Sequence, residues 1–146
     1  MTADHNGFRG YYVRPGGPEG TERILRLALP SDASTVRLAR QVTRDALDAW
    51  HLGELEEDAV LLVSELVTNA VRHATDTGAV GLELASTDIR LRVEIQDGDP
   101  SWREMDSVTD CDESGYGFLL VDSLADRWGL RRVCAGKAVW AELDAP

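Results

Sequence analysis

The chain has only two cysteines, Cys111 and Cys134, and neither stands at a metal-binding spacing from a histidine. That excludes a disulfide framework and a zinc module as organising principles, and two reduced thiols are expected. No apolar run approaches the roughly 20 residues that a membrane-spanning helix requires. The opening Met1-Thr2-Ala3-Asp4-His5-Asn6-Gly7 lacks the apolar core of a signal peptide. A cytoplasmic protein without membrane attachment is therefore expected. Positive charge is also scarce, with 15 basic against 26 acidic residues and a net charge of -11. Binding to duplex nucleic acid needs a cationic surface, so direct nucleic-acid contact is not expected. The sequence contains no Walker A loop, no HRD and DFG pair and no Ser-His-Asp signature.

What is present reads as one globular domain: 146 residues, 43% hydrophobic and 28% charged. Residues 1 to 21 are rich in glycine and proline and read as a mobile tail. The folded unit is expected over 22 to 146. Glu22 to Leu29 reads as a strand closed by Pro30. Ser31 or Asp32 suits the cap of a helix with Val36, Ala39, Val42, Ala46 and Trp50 on one face, broken at Gly53. A second helix is predicted over about 55 to 74. Val80 to Leu84 and Ile89 to Ile95 form a hairpin, and an acidic loop runs to Ser114. A third helix is predicted from about Tyr116 to Trp128, then a hairpin of 130 to 134 with 138 to 143 around Ala135-Gly136-Lys137. The expected fold class is α/β, a two-layer sandwich with three helices on one face of a mixed sheet.

Two stretches carry chemistry. In Ser64-Glu65-Leu66-Val67-Thr68-Asn69-Ala70-Val71-Arg72-His73 the polar residues Glu65, Asn69 and His73 recur every four positions. A helix drifts only about 40° over four residues, so these three share one stripe on an apolar helix. The stripe offers a carboxylate, an amide oxygen and an imidazole, which suit a base, a metal ligand and a polar prop. The bland reading makes Glu65 a solvated side chain paired with Arg72. Seven residues is a poor pairing distance on a helix. The second stretch, Gly115-Tyr116-Gly117-Phe118, puts two glycines where a loop becomes a helix, a place suited to phosphate or simply to a tight turn. Between them Val93-Glu94-Ile95-Gln96-Asp97-Gly98 is an extended run ending in a carboxylate, and Asp-Gly also favours ordinary turns.

Glu-x-x-x-Asn on a helix, a strand ending in Asp, and Gly-x-Gly opening a helix, in that order, resemble the Bergerat-fold (GHKL) ATPases. The group most similar in pattern is that of the bacterial anti-sigma-factor serine/threonine kinases. Trp128-Gly129 and Gly136-Lys137-Ala138-Val139-Trp140-Ala141-Glu142-Leu143 are similar to that group's ending. The resemblance covers roughly residues 22 to 143.

It implies ATP and Mg²⁺ as cofactors, with Glu65 as the catalytic base and Asn69 as the metal ligand. Asp97, with Gly98, would read the adenine amino group. Gly115, Tyr116, Gly117 and Phe118 would meet the phosphates, and His73 would stand near them. It also implies a homodimer, a small anti-anti-sigma protein as phosphoryl acceptor and a sigma factor as competing partner. The chain departs from the family pattern at Asp99, where glycine is usual, and at Ala138, where threonine is common. Those departures keep open a non-catalytic pseudo-ATPase regulator; the second alternative is a detached histidine-kinase-type catalytic domain, against which the short lid and the lack of a dimerisation helix argue. Ser101 to Ser114 is expected to be the nucleotide lid.

Overall fold

The computed structural model describes residues 3–5, 8–14, 22–73, 79–97, 115–133 and 136–146. Seven strands form one sheet: β1 (Ala3–His5), β2 (Phe8–Arg14), β3 (Arg23–Pro30), β4 (Ala79–Ser86), β5 (Arg90–Asp97), β6 (Arg127–Val133) and β7 (Gly136–Asp144). Their order is β1-β2-β3-β4-β5-β7-β6. Three helices, α1 (Ser34–Ala49), α2 (Glu56–His73) and α3 (Gly115–Leu124), complete the two-layer α/β sandwich. Every described strand pairing is antiparallel, so the sheet is not the mixed one expected. Among the described residues no helix is long and apolar enough to cross a membrane.

Alternation builds the core. Leu27, Leu29, Val80, Leu82, Leu84, Leu91, Val93, Ile95, Ala141 and Leu143 are buried at alternate positions along four adjacent strands. Leu62, Val63, Leu66, Val67 and Ala70 of α2 meet them in the same core. Truncating one such leucine to alanine costs about 2–5 kcal/mol. The opposite sheet face is polar, with Arg92, Glu94, Gln96 and Glu142 linked by hydrogen bonds.

Two strands lie within the stretch 1 to 21 that the sequence reading takes as a mobile tail. Phe8–Arg14 pairs with β3, and Ala3–His5 pairs with Phe8–Arg14. Glycine and proline content dominated the sequence reading, whereas Phe8-Arg9-Gly10-Tyr11-Tyr12-Val13-Arg14 carries strand-favouring residues.

Helix boundaries also differ. The Asp32 carboxylate accepts bonds from the Ser34 hydroxyl and backbone N–H, just ahead of α1. Those bonds hold Asp32 below the ordinary carboxylate range. The inward face of α1 includes Thr35, Thr43 and Leu47 besides Ala39 and Ala46. The threonines are tolerated because their hydroxyls donate to the carbonyls of Pro30 and Ala39.

α1 ends before Gly53. His51 takes a left-handed φ of 60°. The Leu52 N–H then bonds to the Leu47 carbonyl at 2.8 Å and the His51 N–H to the Asp48 carbonyl at 3.2 Å. This pair of bonds, with Leu47 and Leu52 both buried, is a Schellman ending. One 3-10 turn, Gly53–Leu55, leads into α2, whose first turn carries Glu56, Glu57 and Asp58. Carboxylates there favour the helix dipole. α3 stops at Leu124 instead of Trp128, because the Asp126 N–H pairs with the Glu142 carbonyl and Trp128 joins β6.

Candidate functional site at the end of the sheet

The strand register gathers the candidate residues. α2 finishes at His73, and the chain re-enters the sheet at Ala79. Gly81 pairs with Gln96, so the start of β4 lies beside the end of β5. Asp97, the last residue of β5, pairs with Lys137 near the start of β7. β6 begins with Arg127 opposite Glu142, at the far end of β7. α3 leads into that far end. The register thus puts the start of β4, Asp97 and the start of β7 at one end of the sheet, with α2 packed against β5 and α3 against α2.

Glu65 and Asn69 are half-buried on a helix whose neighbours Leu62, Val63, Leu66, Val67 and Ala70 are buried. Glu65 forms no ion pair with Arg72. Among the described residues the Asn69 amide nitrogen, which is buried, has no hydrogen-bond partner. A buried amide without a partner is uncommon and costly, so this side chain holds polar capacity that the fold leaves unused.

Asp97 is 7% exposed and shares its face with Val93 and Ile95, which places its carboxylate on the helix side of the sheet. A buried carboxylate at a strand end suits an amino group as partner. Gly115, Tyr116, Gly117 and Phe118 form the first turn of α3, the end at which a helix leaves N–H groups without intrahelical partners. α3 packs against α2. His73 is the last residue of α2. Gly98, Asp99 and the segment from Ser101 to Ser114 lie outside the described residues.

The family model of the histidine kinase-like ATPase domain matches residues 29–143. The chain belongs to that family. Within this ATPase-type domain, the serine-protein kinase RsbW of Staphylococcus epidermidis, including that of strain RP62A, is a relative. It is 27% identical over 125 residues, which cover 74% of this chain and 79% of RsbW.

Register alters one reading of the family pattern. Ala138, singled out for lacking a threonine hydroxyl, pairs with Gln96, and Lys137 pairs with Asp97. Paired residues share a face and successive residues alternate, so Ala138 stands on the opposite face from the Asp97 carboxylate. Sequence reasoning missed Lys137 as the cross-strand neighbour of Asp97. The signal was there in Val139 aligned with Ile95, but using it required the β5–β7 pairing, which is not local in sequence.

Proposed function

We propose that this ATPase-family domain is an ATP-dependent serine/threonine protein kinase of the anti-sigma type, acting on a small anti-anti-sigma protein. The observation that carries the reading is Asn69 beside Glu65, on the helix that packs over the strand ending in Asp97: its buried amide N–H groups meet no partner among the described residues and suit a phosphate oxygen. Family membership and the likeness to a serine-protein kinase support it.

Asp97 accepts a hydrogen bond from the adenine amino group. Guanine lacks that donor, so ATP is preferred over GTP. The first turn of α3 offers backbone N–H groups to phosphate. Among the described residues no group of three or more acidic, histidine or cysteine side chains is placed to hold a metal. Asn69, through its amide oxygen, would hold Mg²⁺, which would offset the charge of the phosphates. Glu65 takes the proton of the acceptor hydroxyl as that oxygen bonds to the γ-phosphorus and ADP departs. A sigma factor as the alternative client, a homodimer and a cytoplasmic setting belong to the same reading.

The test is incubation of the purified chain with labelled ATP, Mg²⁺ and anti-anti-sigma proteins of the same genome. Label on a serine or threonine of one of them is expected. Binding of ATP without transfer to any of them would favour the non-catalytic regulator. Glu65→Ala should keep ATP affinity and lose transfer, because the base acts in the transition state. Normal transfer by Glu65→Ala would remove this residue from the role.

A further inference from the structure

The end of the sheet where β5 stops and β7 starts carries a charged row across three strands. Asp97 pairs with Lys137, and Lys137 pairs with Arg132 of β6. Cross-strand partners occupy one face, so the row lies on the helix side of the sheet, with Val93 and Ile95. The next row inward, Ile95, Val139 and Leu130, is apolar. Neighbouring strands are about 5 Å apart, which sets Lys137 about 5 Å and Arg132 about 10 Å from Asp97. The row holds one carboxylate and two cations, and its hairpin supplies no second carboxylate. From Arg127 to Ala141 the sequence has four basic residues and no acidic one. Arg127, at the other end of β6, is engaged with Glu142 and Asp144. In a chain of net charge -11, a surplus of positive charge beside the candidate site is exceptional.

We propose that Lys137 and Arg132 take a phosphate group of the nucleotide whose base Asp97 reads. The proposal rests on the nucleotide reading above and adds two residues to it. A ligand matched to the row has a hydrogen-bond donor at one end and an anion at the other. A nucleotide has both: the adenine amino group for Asp97 and the phosphates for the two cations. Lysine meets phosphate as a point charge, and arginine as a two-pronged donor. An acidic protein segment is repelled by Asp97, and nucleic acid needs more positive charge than two residues supply. A purely structural pairing of Lys137 with Asp97 leaves the charge of Arg132 uncompensated within the row.

The experiment is calorimetric titration of the full chain with adenosine, ADP and ATP in the presence of Mg²⁺, and with inorganic triphosphate as a probe that has no base. ATP and ADP should bind more tightly than adenosine, and the difference should shrink as salt is raised. Lys137→Met combined with Arg132→Gln should weaken ATP and ADP by about ten-fold or more and leave adenosine within about two-fold. Triphosphate should bind the unsubstituted chain and not the double variant. Lys137→Arg keeps the charge and should keep the affinity for ATP. Arg132→Gln alone is measured if circular dichroism shows the double variant unfolded. Equal losses for adenosine and ATP would make the row part of the base pocket or of the fold and overturn the proposal. Unchanged ATP affinity and transfer in the double variant would overturn it too, and leave the kinase reading intact. Triphosphate binding that the substitutions abolish, in a chain that transfers phosphate to no acceptor, would instead sink the kinase reading and leave the anion site standing.

Discussion

Asn69 sets two demands against each other. Its amide nitrogen is buried without a partner among the described residues, which costs stability, and asparagine inside a helix costs a further few tenths of a kcal/mol against alanine. A residue retained at that cost is best explained by a ligand. Asn69→Ala should therefore leave the apo protein as stable or slightly more so, while the stabilisation by ATP with Mg²⁺ is lost. For the unsubstituted chain that stabilisation is about 2.7 kcal/mol at 100 times Kd, and thermal unfolding with and without nucleotide reads both quantities. An apo variant destabilised by more than about 1 kcal/mol would make Asn69 a structural residue instead. His51 is a second residue under strain, held at a φ of 60° at the exposed end of α1. His51→Gly should stabilise by about 0.5–1 kcal/mol in urea unfolding, since glycine adopts that conformation without a Cβ penalty.

Between elements, Gly129 of β6 lies close against Trp140, its partner in β7. A Cβ at Gly129 would lie 2.9 Å from the Trp140 ring. That ring is held from above by the Arg92 guanidinium, 4.6 Å from its centroid. Gly129→Ala should cost about 1–3 kcal/mol through displacement of the ring, measured as a lower urea midpoint. An unchanged midpoint would mean the tryptophan turns aside freely. The β6–β7 and β4–β5 hairpins and the apolar face of α2 were legible in the sequence, because alternation and helical periodicity are local. So was the stripe of Glu65 and Asn69. The pairing of β3 with β4 across two helices, and of β5 with β7 around β6, is non-local and left no local mark. Gly53 drew attention from the true ending of α1, where Leu47 and Leu52 close the helix. Thr35 and Thr43 looked polar and are buried, since only the fold supplies the carbonyls that satisfy them.

For the whole molecule, acid poses a choice between two opposing effects. At neutral pH a net charge of -11 repels itself, and protonation toward the isoelectric point of about 4.6 relieves that repulsion. Against this stand carboxylates that the fold holds ionised. For Glu142, burial pushes its carboxyl upward, but hydrogen bonds from Arg127 and Arg92 prevail and hold it below the ordinary range. Asp144 is held low chiefly by Arg127 and then by Arg90. Asp32 is held low by Ser34. A group whose folded pKa is depressed contributes stability above its unfolded pKa of about 4 and loses it as pH falls through the folded value. Stability should therefore change little or rise between pH 7 and 5, where repulsion is relieved and these carboxylates stay charged. It should then fall steeply below about pH 4, as the bonds joining β5, β6 and β7 are titrated. Glu142→Gln should lower the urea midpoint at pH 7 and flatten the acid limb, because less ionisation remains to be lost. If the unsubstituted protein instead grew more stable down to pH 3, relief of repulsion would outweigh the network, and its arginines would hold the strands together only weakly.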